Sequence, residues 1–154
     1  MNATIQTYDF RIYTDGGYSM CNNEGAWAFV IVDPFTDTII NKASGVLRNQ
    51  TNNIAELMAI LEAIRMLPHG GSAQICTDSQ YAIGVLSNPT WRPKKNVALI
   101  NEIRRTWRDN ALGLWFCWVR GHSGDKYNEL VDSMCSETVG YDLNAEYEKY
   151  KKNK

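Results

Sequence analysis

The feature that most limits the fold is a change of hydrophobic period near residue 53. Upstream of it, residues 9–14 alternate apolar and polar side chains, 25–33 is a β-branched and aromatic run closed by Pro34, and 38–47 returns towards it. Three strands joined by short turns make an antiparallel meander. From Asn53 onward, Ile54, Leu57, Met58, Leu61, Ile64 and Leu67 fall on one helical stripe, which Pro68 and Gly70-Gly71 end. A short strand at 73–77 then runs directly into a helix over 79–86. Residues 87–95 carry two prolines and must be irregular. A basic helix at 97–110, a strand at 114–119, a helix at 125–139 and a charged tail complete the chain. A meander followed by crossover strands predicts an α/β fold, a mixed sheet flanked by helices. In such sheets ligands collect at the carboxyl ends of strands.

Composition narrows the class further. At 154 residues the chain is expected to be one domain, since no repeat, low-complexity block or linker divides it. Its 44% hydrophobic and 21% charged content exclude a disordered chain. The longest apolar run, residues 26–32, is too short to cross a bilayer, which takes about 20 residues. The first eight residues lack the basic start and apolar stretch of a signal peptide, and they are not Arg-rich like a transit peptide. Cys21, Cys76, Cys117 and Cys135 stand far apart with no CxxC pair, the pattern of reduced thiols in a cytoplasmic protein and not of a zinc site.

A net charge of −1 hides an uneven distribution. Residues 1–90 balance to −4, residues 91–126 to +5 and residues 127–154 to −2. A basic middle beside an acidic remainder suits a binder of phosphate backbones with a carboxylate-lined site, and equally a solvated helix face.

Four carboxylates occupy the positions where such a fold puts its chemistry. Asp15 follows the first strand in Tyr13-Thr14-Asp15-Gly16-Gly17, and Asp78 follows the fourth in Thr77-Asp78-Ser79-Gln80. Glu56 lies in the first turn of the first long helix, and Asp132 lies inside the helix at 125–139, ten residues after His122. Each has a plain structural alternative. Asp15-Gly16 is a hairpin-turn pair, Glu56 is spaced to complete a capping box with Asn53, and Asp78 is placed to cap the helix after it. Asp132 is tolerable on an exposed helix face. The functional alternative needs all four in one place, where they would repel one another by several kcal/mol. Divalent cations make such a cluster tenable, and an oxygen-only donor set selects magnesium or manganese. Two such ions about 3.5–4 Å apart activate a water and stabilise the leaving oxygen of an in-line displacement at phosphorus.

The same residues resemble the type 1 ribonucleases H. The resemblance spans roughly residues 8–139, leaving 140–154 as a tail. It rests on Tyr-Thr-Asp-Gly at 13–16, Thr-Asn-Asn-x-x-Glu-Leu at 51–57, Thr-Asp-Ser-Gln-Tyr at 77–81, Lys-Asn-Val at 95–97, Trp-Val-x-Gly-His-x-Gly at 118–124 and Asn-Glu-x-x-Asp at 128–132. It implies a ribonuclease H-like fold with a five-stranded mixed sheet. It also implies an endoribonuclease that cleaves the RNA strand of RNA·DNA hybrids, leaving 5′-phosphate and 3′-hydroxyl ends.

Under that resemblance Asp15, Glu56, Asp78 and Asp132 are the metal-binding and catalytic carboxylates, holding two Mg²⁺ ions with Mn²⁺ as a possible substitute. His122 is the active-site histidine that moves a proton or aids product release. Beside a dense carboxylate cluster an imidazole holds its proton more tightly, which suits work near neutral pH. Glu56 and the backbone around Gly16 and Gly17 would meet the RNA 2′-hydroxyl, the group that tells RNA from DNA. Asn52 and Gln80 would enter the minor groove. Thr51 and Asn96, with Arg92, Lys94 or Lys95, would hold a phosphate of the DNA strand, and Trp91 is either an aromatic wall for that strand or a cap on the core. The expected partner is the hybrid duplex, read without base specificity and with marked salt dependence. A monomer with no obligate protein partner and no membrane association is expected.

The chain departs from long-handled members of the family, because residues 87–95 replace an extra helix and basic loop. Tyr18-Ser19-Met20-Cys21-Asn22-Asn23-Glu24 stands where many members have a Gly/Pro-rich turn. With about eight residues before the first strand, no separate N-terminal hybrid-binding domain is expected. Trp27, Trp107, Trp115 and Trp118 are expected in core or half-buried packing. The alternatives to the main expectation are a DNA-processing nuclease of the same fold and a non-catalytic hybrid-binding module.

Overall fold

The computed structural model describes residues 7–88, 90, 92–121 and 124–152. A five-stranded sheet carries the fold: β1 (Phe10–Ser19), β2 (Glu24–Asp33), β3 (Thr38–Arg48), β4 (Ser72–Thr77) and β5 (Gly113–Trp118). In space the order is β3-β2-β1-β4-β5. The pairs β1–β2 and β2–β3 are antiparallel, whereas β1–β4 and β4–β5 are parallel, which is the mixed sheet that the meander and crossovers predict. The helices are α1 (Asn52–Ile64), α2 (Gln80–Leu86), α3 (Val97–Asp109), α4 (Lys126–Val139) and α5 (Leu143–Lys152).

The period-2 alternation of the central strands divides the core into two layers. Ile12, Phe29, Ile31 and Ile75 face α1, α2 and α3, where Leu57, Ile60, Ile64, Leu86, Ile100 and Ile103 are fully or almost fully buried. Their strand neighbours Tyr13, Val30, Val32 and Cys76 face the other way, against Tyr127, Val131 and Cys135 of α4 and Leu143 of α5. Burying both faces explains why β2 reads as a continuous apolar run and not as a clean alternation. The start of α4 is tied to the β2–β3 turn. Asp37 accepts from Arg11 and Lys126 through its carboxylate, and its carbonyl accepts from the Tyr127 hydroxyl at 2.8 Å.

Several local expectations change. The first strand continues through Asp15, Gly16 and Gly17 to Ser19. Asp15-Gly16 is therefore not a hairpin turn: Asp15 pairs with Ala28 and Gly16 with Trp27. The turn lies at residues 20–23, where Asn23 takes the left-handed conformation that asparagine tolerates (φ 52°). Thr51 caps α1, its Oγ1 accepting from the Ile54 N–H at 3.2 Å. Asn53 and Glu56 are consequently both inside the helix and form no capping box. Ser79 caps α2, with Oγ accepting from the Ala82 N–H at 3.0 Å, so Asp78 is not the cap. Trp115 and Trp118 lie on the edge strand β5 and are 41% and 50% exposed, whereas Trp27 and Trp107 are half-buried against the core. The tail forms α5, and Leu143 at its start is buried.

Candidate active site

Parallel pairing of β1 with β4 brings the first two carboxylates together. Thr14 pairs with Thr77, so Asp15 and Asp78 are the next residues on neighbouring chains at the carboxyl end of β4. This is where the sheet reverses its order, because the meander lies on one side of β1 and the parallel strands on the other. Helix α1 then crosses close over β1. A Cβ on Gly16 would lie 2.3 Å from the carbonyl carbon of Ala55 and 2.4 Å from the Glu56 nitrogen. A side chain at residue 16 would push the helix away, and its absence brings Glu56 to the acids. On the opposite face, α4 packs Cys135 onto β1, its thiol donating to the Asp15 carbonyl at 3.5 Å. Asp132, one turn earlier on α4, reaches the same place.

The four acids line one cavity of about 190 Å³, together with Gly16, Gly17, Asn52, Asn128, Asn144 and Tyr147 among others. Their mutual influence is direct. Burial, then the charges of Asp78, Asp132 and Glu56, then a hydrogen bond with Asp132, push the Asp15 carboxyl well above the usual carboxylate range. Glu56 is pushed up to about 7, first by burial; a hydrogen bond from Ser79 opposes this, Asp78 adds to it and Asn52 opposes it. The two oxygens of Glu56 are both engaged, Oε2 accepting from Ser79 Oγ at 2.5 Å and Oε1 from Asn52 Nδ2 at 3.3 Å. Burial and the charges of Asp15, Asp132 and Asp78 also push the Cys135 thiol up, so it stays protonated as an apolar packing group.

Carboxyls pushed above their usual range, as Asp15 and Glu56 are here, are held either by protons or by cations. The donor set here, carboxylates with no thiolate or imidazole among the described lining residues, fits a hard divalent ion such as Mg²⁺ or Mn²⁺. Among the described residues no three acidic, cysteine or histidine side chains are already drawn tightly around one point.

The other expected site residues divide into two groups. Gly16, Gly17 and Asn52 line the cavity; Thr51, Gln80, Lys95 and Asn96 do not. Gln80 is exposed in the first turn of α2, and Lys95 is exposed just before α3. Asn96 is the residue that precedes α3, in the left-handed conformation (φ 57°), with Nδ2 donating to the Tyr81 hydroxyl at 2.8 Å. Thr51 and Asn96 thus both stand at helix N-termini, positions that favour anions. Trp91 and His122 lie outside the described residues. The residue before His122 is close to the site, because a Cβ on Gly121 would lie 3.1 Å from Asp78 Oδ2. Trp118 Nε1 donates to the Asp78 carbonyl at 3.3 Å.

Ser79, Asn128, Cys135, Asn144 and Tyr147 are among the participants to which the sequence assigns no site role. Ser79 was visible as part of Thr-Asp-Ser-Gln-Tyr, but nothing local showed its hydroxyl turning to Glu56. Asn144 and Tyr147 lie in the tail and enter the cavity only because α5 folds back on β1.

Comparison with known proteins adds to this geometry. A family model described as RNase H matches residues 8–139, the span over which the motifs run. A ribonuclease H of Cupriavidus pinatubonensis is 32% identical over 140 residues, covering 83% of this chain and 93% of its own length. A ribonuclease H of Neorickettsia sennetsu is 30% identical over 151 residues, covering 91% of this chain and 99% of its own. A third, from Treponema pallidum, is 32% identical over 153 residues, with 83% and 89% covered.

Proposed function

The chain belongs to the RNase H family of enzymes, and from that premise we propose that it is an endoribonuclease cutting the RNA strand of RNA·DNA hybrids. Cleavage would leave 5′-phosphate and 3′-hydroxyl ends. The observation that carries the proposal is the one cavity that Asp15, Glu56, Asp78 and Asp132 line together.

In this proposal the four carboxylates hold two Mg²⁺ ions, with Mn²⁺ as a substitute. When bound, such ions supply an activated water and charge stabilisation for the leaving oxygen. The chain's own groups do the positioning. Ser79 and Asn52 fix both oxygens of Glu56, which holds that carboxylate ready for a 2′-hydroxyl at the scissile nucleotide. Gly16 and Gly17 leave the cavity floor without side chains, so a sugar-phosphate backbone can approach the β1 main chain. Asn52 and exposed Gln80 face the minor groove in this scheme. Thr51, Asn96 and Lys95 take a DNA-strand phosphate, supported by the two helix N-termini at Thr51 and Asn96. His122 is assigned proton transfer or product release on the resemblance of its motif. One ribonuclease H domain, acting as a monomer in the cytoplasm, completes the proposal. Among the described residues no helix is long and apolar enough to cross a membrane.

The test is cleavage of an end-labelled RNA·DNA hybrid beside matched RNA·RNA and DNA·DNA duplexes, with Mg²⁺ or Mn²⁺ and with chelator. Metal-dependent cutting of the hybrid's RNA strand alone is expected. Cutting of DNA·DNA would assign a DNA-processing nuclease instead, and hybrid binding without cutting in either metal would assign a binding module.

A further inference from the structure

The cavity has one wall that the family pattern does not account for. The match to the family ends at residue 139, yet α5 begins four residues later and contributes Leu143, Asn144 and Tyr147 to the lining. Its start is fastened at three points. Gly140 ends α4 in the left-handed conformation (φ 87°), which turns the chain back over the sheet. The Leu143 N–H donates to Ser136 Oγ at 3.2 Å. The Leu143 side chain is buried, with Cδ1 3.1 Å from where a Cβ on Gly17 would stand. Asp142 then caps the new helix, its Oδ1 accepting from the Asn144 N–H at 2.9 Å and the Ala145 N–H at 3.3 Å.

This anchoring brings Asn144 to an acid of the site. Its Nδ2 is 3.1 Å from both Oδ1 and Oδ2 of Asp132, so one amide group donates to both carboxylate oxygens. Asp132 is also the acid that hydrogen-bonds Asp15, the buried carboxyl at the centre of the cavity lining. An amide that spans both oxygens fixes the rotation of the carboxylate and offsets part of the repulsion from its neighbours.

We propose that Asn144 is a positioning residue for Asp132, and that α5 is a working wall of the active site supplied by the segment beyond the family core. The inference rests on the ribonuclease reading above. Asn144 touches neither substrate nor ion in this scheme; it acts by orienting a ligand. Partners of this kind commonly change metal affinity or activity about 10–100-fold when removed.

The test compares native protein, Asn144→Ala and Asn144→Gln by three readouts: thermal midpoint in chelator, Mn²⁺ binding by calorimetry without nucleic acid, and kcat and KM on a hybrid. Asn144→Ala is expected to keep its thermal midpoint, to bind Mn²⁺ about ten-fold more weakly, and to lose kcat about ten-fold with hybrid KM unchanged. Asn144→Gln, which keeps the amide on a longer arm, is expected to recover part of the Mn²⁺ affinity. Unchanged Mn²⁺ affinity in Asn144→Ala would overturn the proposal, as would tighter binding, which would make Asn144 an obstruction. A loss of thermal stability equal in both variants, with no difference between them in Mn²⁺ affinity, would overturn it in favour of a purely structural role. The calorimetric arm separates this inference from the ribonuclease reading: a native protein that binds Mn²⁺ but cuts no hybrid refutes the function, while the Asn144 comparison still decides the positioning.

Discussion

Replacing Glu56 by glutamine removes one negative charge from the cavity while keeping the shape of the side chain. In the metal-free protein burial is the main force raising the Glu56 carboxyl from 4.5 to about 7, with Ser79 opposing, Asp78 assisting and Asn52 opposing. The folded state therefore holds this proton more tightly than the unfolded chain. That contribution is fully present below the unfolded value and is lost as pH rises through the folded one. A gap of roughly 2.5 units at about 1.36 kcal/mol each gives a ceiling of about 3 kcal/mol. Water entering the open cleft lowers this to an expected gain of about 2 kcal/mol for Glu56→Gln at about pH 8. At about pH 4 or below, where native Glu56 is itself largely protonated, the gain should vanish. Urea unfolding of both proteins at the two pH values, in chelator, measures the difference directly. Saturating Mg²⁺ should narrow or reverse it, because the native protein gains binding energy that the variant has partly lost. A variant less stable than native at about pH 8, or a difference that is the same at both pH values, would refute the electrostatic account of the cavity.

Asp15→Asn and Asp78→Asn should each reduce hybrid cleavage to background with thermal stability equal or higher, since both relieve repulsion; a loss of more than about 2 kcal/mol in urea unfolding would show that these acids serve structure instead. Gly16→Ala and Gly84→Ala should move stability in opposite directions. A Cβ at residue 16 meets the Ala55 backbone at 2.3 Å, so that variant should lose about 3 kcal/mol or more. Nothing lies within 4 Å of a Cβ at residue 84, inside α2, so Gly84→Ala should gain about 0.5–1 kcal/mol by thermal or urea unfolding.

Much of the fold was legible because it rests on local pattern. The helical stripe from Ile54 to Leu67 and its stop at Pro68 anticipated α1, and the β-branched run at 25–33 anticipated β2. The errors share a cause. Asp15-Gly16-Gly17 carries turn chemistry, yet cross-strand pairing with residues 26–28 holds it extended. Asn53 and Asp78 are competent caps, but Thr51 and Ser79 occupy the cap positions and use their hydroxyls there. Trp115 and Trp118 look like core residues by type, and their exposure follows from β5 being an edge strand.

The same division holds for the site. Sequence alone determined which residues are available to it: four carboxylates, their order along the chain, and the motifs that tie them to a family. These are properties of residue identity and short-range spacing, which a linear chain displays openly. Tertiary structure decided that the four acids share a cavity, that Ser79 and Asn52 hold Glu56, and that a tail lying beyond the family match folds back to place Asn144 on Asp132. Proton affinity and side-chain orientation depend on what lies a few ångströms away in space. In this chain those neighbours stand more than a hundred positions apart in sequence, as Asp15 and Asp132 do, 117 residues from one another.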